Sequence, residues 1–208
     1  MEDVLELYTR PCDPLRPVVC MDETSKQLLR DTRQSLSMER ARVQRVDYDY
    51  ERGGVANVFM FLEPFAGRRW IDITEHRTKR DWARQIKELV DVRYPEAEKI
   101  VLVMDNLNTH TPASLYEVFE PKEAKRVAEK LEIHYTPKHG SWLNMAEIEL
   151  SVLSRQCLER RVPDFETLQS EAQAWQHRRD AAGITIEWRF RTDDARIKLK
   201  RLYPSFQE

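Results

Sequence analysis

The 208-residue sequence predicts an α/β fold: a mixed sheet, built as an antiparallel meander followed by parallel strands and flanked by helices. Three observations predict it. Ile100–Val103 is an unbroken β-prone apolar run, extended by Met104, of the kind found in strands buried on both faces. Residues 46–73 carry alternating or apolar stretches separated by glycine-marked breaks, the signature of a meander. Beyond residue 78 helical spacings and short apolar runs alternate, which implies helix-to-strand crossovers and parallel pairing.

In chain order, residues 1–10 read as the tail of a helix with Val4, Leu5 and Leu7 apolar, and Pro11, Pro14 and Pro17 make an extended connector. Val18–Met21 is a short apolar strand that ends in Asp22-Glu23. Residues 26–45, with Arg30, Arg33, Arg40, Arg42 and Arg45, read as a polar loop with little core. Val46–Tyr50 alternates like a strand; Gly53-Gly54 is expected to be a turn, and Val55–Leu62 its antiparallel partner. Trp70–Ile73 follows as a third strand after the turn near Gly67. Thr78 and Asp81 mark a helix start, with Trp82, Ile86, Leu89 and Val90 at helical spacing and Pro95 beyond its end. Lys99–Met104 is the central strand. Thr111-Pro112 and Glu120-Pro121 open two helices by the proline-at-first-turn rule, the second with Ala124, Val127, Ala128 and Leu131 facing the core. Ile133–Tyr135 is a last strand, Lys138–Trp142 a loop, and helices follow from about Leu143 to Leu158 and from Asp164 to about Ala181, the latter carrying Phe165, Leu168, Ala172 and Trp175.

Composition sets bounds on function. Length fits one domain with a possible appendage, and 41% hydrophobic residues with five Trp and seven Phe supply a core. Basic and acidic residues number 34 and 36, net −2, so nucleic-acid affinity would have to come from local patches. One such patch is residues 187–201, with six basic and three acidic residues, although a solvated helix face is the ordinary explanation. Cys12, Cys20 and Cys157 form neither a disulfide framework nor a zinc spacing, which suits a reducing compartment. No apolar run approaches the roughly 18 residues of a membrane span, and the acidic start is no signal peptide. A cytoplasmic protein is expected, with no membrane partner.

The chemistry-bearing candidates are acids in comparable settings. Asp22 and Asp105 each follow a buried strand, where open α/β sheets keep their sites. The third acid lies on the helix after Leu143, whose core stripe is Leu143, Ala146, Leu150, Leu153 and Cys157. Glu147 and Glu149 flank that stripe on opposite sides, each roughly 80° from its centre at about 100° per residue, so periodicity does not choose between them. Glu147 stacks over Leu143 and Ser151 and Glu149 over Met145 and Leu153, and the small hydroxyl neighbour leans toward Glu147 for a wet cleft. Three carboxylates in one cleft would repel each other and a phosphodiester; with hard divalent cations they would attract it. The competing reading is three solvated acids among 36.

The segments VVCMDETSKQLL, KIVLVMDNLNTH and IHYTPKHGSWLNMAEIELSVL, in that order, resemble the catalytic core of the bacterial IS630 transposases within the Tc1/mariner group, and the likeness extends to the ending from Glu187 to Pro204. The Asp-Asn-x-x-x-His element (Asp105, Asn106, His110) and the Leu-Asn-x-x-Glu element (Leu143, Asn144, Glu147) carry it. The resemblance implies a ribonuclease-H-like fold with the triad Asp22, Asp105 and Glu147 binding two Mg²⁺ or Mn²⁺ ions. It further implies DNA cleavage and strand transfer, transposon ends and target DNA as partners, a homodimer in the active complex, and a bacterial, nucleoid-associated setting. Asn106 and His110 are expected to orient a ligand, touch phosphate or stabilise their turn. Lys138, His139 and Trp142 are expected to grip phosphate and stack on an unpaired base, with Trp142 equally readable as core. Glu23 reads as an exposed acid or as a partner behind the site. The step from Asp105 to Glu147 is 42 residues, longer than the group's usual spacing. Residues 1–16 read as the connector from a missing or truncated N-terminal DNA-recognition region, and 17–208 as the catalytic domain with C-terminal helices and basic tail. The alternatives are a structure-selective nuclease of the same fold and a catalytically silent DNA-binding or dimerisation module.

Overall fold

A computed structural model describes residues 1–32 and 49–203. Five strands form one sheet in the order β3-β2-β1-β4-β5: β1 is Val18–Asp31, β2 Tyr50–Glu63, β3 Arg68–Thr74, β4 Ile100–Met104 and β5 Leu131–Tyr135. The β1/β2 and β2/β3 pairs are antiparallel, whereas β1/β4 and β4/β5 are parallel. The mixed sheet, meander first and parallel strands after, is the one the sequence predicts.

Two helical layers cover it. On one face lie α1 (Glu2–Leu7), α5 (Met145–Leu153, continued by a π turn to Leu158), α6 (Phe165–Ala181) and α7 (Thr192–Lys198). On the other lie α2 (Lys79–Glu88, continued by a π turn to Arg93), α3 (Pro112–Tyr116) and α4 (Pro121–Glu129). Side chains of a strand alternate between faces, so Cys20, Val101 and Val103 enter the α5-side core while Val19, Met21, Leu102 and Met104 enter the other. The helix anticipated near the start is α1; its Val4, Leu5 and Leu7 are fully buried in the α5-side core. Thr78 caps α2 through a reciprocal hydrogen-bonded box with Asp81, as its sequence suggests.

Several expectations are corrected. β1 does not stop at Asp22 but runs on to Asp31, because its partner β2 is equally long and the ladder continues from Cys20↔Leu62 to Asp31↔Tyr50. Residues 26–31 are therefore strand, not loop; 33–45 lie outside the described residues, as do Val46–Tyr48 of the expected alternating strand. Gly53-Gly54 is not a turn. Gln27 pairs with Val55 and Leu29 with Arg52, so the two glycines oppose the single residue Leu28 in a β-bulge. Gly54 takes φ 101°, and a Cβ on Gly53 would meet the Pro163 carbonyl oxygen at 2.9 Å, so both positions call for glycine. Leu131 belongs to β5 rather than to the preceding helix.

Candidate active site

The parallel pairing sets the two aspartates level. Val18↔Val101, Val19↔Leu102 and Cys20↔Val103 share an offset of 83 residues, and Asp22 and Asp105 continue that same offset two positions further on. By alternation both fall on the α5 face, in line with Cys20 and Val103.

Glu147 reaches them through the capping of α5. Asn144 is the N-cap, its side-chain oxygen accepting from Ala146 N–H at 3.1 Å while its Nδ2 donates to the Met21 carbonyl at 2.8 Å. One buried amide thus starts the helix and moors its first turn to β1 beside Asp22. Tyr8 Oη, donating to the Leu143 carbonyl at 2.7 Å, holds the preceding residue from below. Glu147 sits in that first turn. Glu149 turns away into the core, 1% exposed, where Arg69 Nε at 2.9 Å and Arg179 Nε at 2.5 Å neutralise it. Arg69, itself buried, also bonds Asp180 at 2.8 Å. The tie left open by helical periodicity is broken by a buried cation from β3 that no local pattern reveals.

The site is short of positive charge. Burial pushes the Asp22 carboxyl up to about 7, against the hydrogen bond it accepts from Glu23 N–H, and the charges of Asp105, Glu23 and Glu147 push it the same way. Glu147 Oε2 is buried without a hydrogen-bond partner among the described residues. Among those residues no three His, Cys, Asp or Glu side chains are placed close enough together to hold a metal ion as they stand. An all-carboxylate donor set with an unsatisfied oxygen and a carboxyl raised first by burial and then by its acidic neighbours nonetheless suits the donor chemistry of a hard divalent cation. Asp22, Asp105 and Glu147 are the residues that would hold it.

Behind Asp105 sits a group read differently from the sequence. His110, 1% exposed, has Nδ1 2.5 Å from Asp105 Oδ1 and Nε2 3.1 Å from Glu23 Oε2. Burial draws its pKa down, but the hydrogen bonds and charges of Asp105 and Glu23 prevail and hold it at about 9. Its ring stacks on Trp82, centroids 6.0 Å apart. His110 is therefore not a DNA contact, since both nitrogens and one face are engaged inside the protein. Glu23 is not an exposed acid: its side chain is 3% exposed, because odd positions of β1 face the α2 layer. Its one available signal was its parity with Val19 and Met21.

The remaining sequence candidates stay at the surface. Asn106, Lys138 and His139 are exposed, His139 with φ 65°. Trp142 is 39% exposed, stacked on Trp188 at 6.3 Å and edge-on to Phe190 at 5.4 Å, so it is a surface aromatic rather than core. Three of the six basic residues of segment 187–201 are engaged in ion pairs: Arg189 with Glu187, Lys198 with Asp194, and Arg196 with Glu2 of α1.

By fold the chain is similar to the Mos1 mariner transposase in its paired-end complex with Mn (TM-score 0.58, 14% identity, 85% of this chain and 52% of that one). It is similar also to the Mos1 strand transfer complex (0.58, 13%, 85% and 51%) and to the Mos1 paired-end complex with the left transposon end (0.56, 14%, 88% and 56%). The chain spans about half the length of these proteins, and its sheet with helices on both faces is the ribonuclease-H-like fold they share. Among curated proteins none matches the sequence. The DDE superfamily endonuclease family matches residues 17–169, a stretch that holds both aspartates, the His110 bridge and the capped helix with Glu147, and the chain belongs to that family.

Proposed function

We propose that this chain is the catalytic domain of a Tc1/mariner-type transposase of the IS630 kind, cutting DNA at transposon ends and joining the freed 3′-hydroxyl to target DNA. The observation that carries this reading is the gathering of Asp22, Asp105 and Glu147 at one end of the sheet with negative charge in excess and one carboxylate oxygen unused. Bound Mg²⁺ or Mn²⁺, two ions in this reading, would polarise the scissile phosphate and make water or a 3′-hydroxyl nucleophilic near neutral pH. The chain's own residues do the rest. Asp22 and Asp105 offer oxygens from adjacent strands held in register, and Glu147 offers another from a helix turn locked by Asn144. That rigidity keeps the attacking and leaving oxygens in line through both steps. Lys138 and His139 supply donors for the backbone phosphates, Asn106 a further one at the rim, and the Trp142 face stacks on a base unpaired by cleavage. In this reading the catalytic domain takes in α1, whose Val4, Leu5 and Leu7 lie in its core, together with residues 17–208, and a DNA-reading region and a second copy of the chain complete the working complex.

The test is nicking of supercoiled plasmid in Mg²⁺ or Mn²⁺, repeated with Asp105→Asn. Metal-dependent nicking lost in the variant supports the site; nicking unchanged in the variant removes it. A donor with a pre-cleaved 3′-hydroxyl then separates the chemistries: joined product supports a transposase, and hydrolysis without joining leaves a nuclease. The Mos1 relative was captured in a strand transfer complex, which is why joining is the outcome expected.

A further inference from the structure

Strand alternation gives β1 two adjacent acids with opposite destinations: Asp22 goes to the α5 face and Glu23 to the α2 face. His110, from the loop after β4, spans the sheet end between Glu23 and Asp105, with 3.1 Å to the one and 2.5 Å to the other. We propose that Glu23 and His110 are positioning residues for Asp105: an imidazole clamped between two carboxylates occupies Asp105 Oδ1 and leaves Oδ2 to the cation. The inference rests on the reading of Asp22, Asp105 and Glu147 as cation ligands.

Three features support it. First, His110 is held at both ring and backbone. Its ring lies against Trp82, its backbone N–H donates to the Leu107 carbonyl at 2.9 Å, and its backbone carbonyl accepts from Tyr135 Oη at 2.9 Å. Ser114 Oγ donates to the Thr109 carbonyl at 2.9 Å, pinning the same loop. Second, Asp105 itself has its carboxylate about one third exposed and follows the last residue of β4, so nothing in the ladder fixes its rotamer. Among the described residues His110 makes the only hydrogen bond to that carboxylate. Third, packing alone does not call for the arrangement. A buried carboxylate–imidazole pair costs several kcal/mol of desolvation that apolar side chains of similar volume would avoid. A partner of this type behind a metal-binding carboxylate orients it and raises its basicity.

The measurement is Mn²⁺ affinity of the intact chain without DNA, from the electron paramagnetic resonance signal of free Mn²⁺. Asp105→Asn serves as the reference, and metal-free melting temperature is recorded for each protein. Glu23→Gln keeps the shape and removes the charge that holds His110; it is expected to weaken Mn²⁺ binding about 10- to 100-fold. His110→Gln is expected to do the same, and the double variant to be no weaker than either single one, because the two act as one unit. A Glu23→Gln affinity within about twofold of the parent, or losses that multiply in the double variant, overturns the proposal. If Asp105→Asn also leaves Mn²⁺ affinity unchanged, the cation site falls and the positioning role with it. Sensitivity to Asp105→Asn combined with indifference to Glu23→Gln overturns the positioning role alone.

Discussion

Neutralising Asp22 should make the metal-free protein more stable while abolishing its chemistry. Asn in place of Asp keeps the side-chain oxygen that accepts from Glu23 N–H at 2.8 Å, so the change removes charge and little else. In the fold the Asp22 carboxyl stands at about 7 instead of its ordinary 3.8, a gap worth about 4 kcal/mol at 1.36 kcal/mol per pH unit, and about 2 kcal/mol once solvent access to the site is discounted. The folded state binds the extra proton, so between pH 4 and 7 stability falls as pH rises, and above about 7 the full penalty is present. Asp22→Asn escapes it. Thermal melts in a chelator should therefore show the variant about 4–8 °C higher than the parent at pH 8, with the gap closing as pH is lowered toward 4. Divalent cation should reverse the order by stabilising the parent, about 2.7 kcal/mol at a hundredfold excess over its dissociation constant, and not the variant. A gap absent at pH 8, or equally large at pH 4, would show that Asp22 does not sit among like charges, and the proposed cation site would lose its basis.

Other outcomes follow from the same coordinates. Glu149→Gln leaves the buried guanidinium of Arg69 with Asp180 as its remaining acid and should cost about 1.5–3 kcal/mol in urea unfolding, whereas Glu147→Gln should leave stability within about 1 kcal/mol and eliminate nicking; equal stability losses would mean the two acids are not divided between core and site. Asn144→Ala loses both the helix cap and the bond to Met21, about 2 kcal/mol, and hydrogen exchange should quicken first at the start of α5. Gly140→Ala places a Cβ 2.6 Å from Pro137 Cγ, so the Lys138–Trp142 loop must shift; DNA binding should weaken at unchanged Mn²⁺ affinity. At Glu132, burial opposes ionisation, but hydrogen bonds from His134, Arg10 and Arg16 hold the carboxyl at about 2. Its contribution is therefore present above pH 4.5 and lost as pH falls toward 2, and acid titration of Glu132→Gln should show a shallower fall, by about 1 kcal/mol given that both arginines are half exposed.

Elements that bury a periodic face were legible because their pattern is local. The Ile100–Met104 run announces a central strand, and the stripe from Leu143 to Cys157 announces the helix under the site; all five of its residues are buried. What could not be read depends on partners far away in the chain. The length of β1 beyond Asp22 follows from β2 across some thirty residues, and its exposed, polar far end looks like loop in isolation. Gly53-Gly54 carries the same local signal whether it turns the chain or bulges a strand. Glu149 resembles Glu147 until Arg69 arrives from β3, and Glu23 resembles a surface acid until His110 closes over it. Asp22 and Asp105 stand out as acids that follow apolar strand runs, whereas the choice of Glu147 over Glu149 rests on motif order.

Both faces of the sheet contribute to one edge, and the two contributions differ in kind. The α5 face delivers oxygens without cations: Asp22, Asp105 and Glu147, with Arg69 and Arg179 consumed by Glu149 at its far side. The α2 face delivers a cation, His110, already committed to two carboxylates. Among the described residues no lysine or arginine is bonded to the three acids, and His110 takes only Asp105 Oδ1, so the other oxygens have no internal cation to compete with a metal. Were a lysine or arginine placed there, it would neutralise the cluster, lower the Asp22 pKa and stabilise the fold, at the cost of the site's affinity for divalent ions. Burial first, and then the charges of Asp105, Glu23 and Glu147, make the ionised Asp22 costly, and a bound cation would offset part of that cost, which is why stability in chelator and affinity for metal should move in opposite directions across substitutions of Asp22.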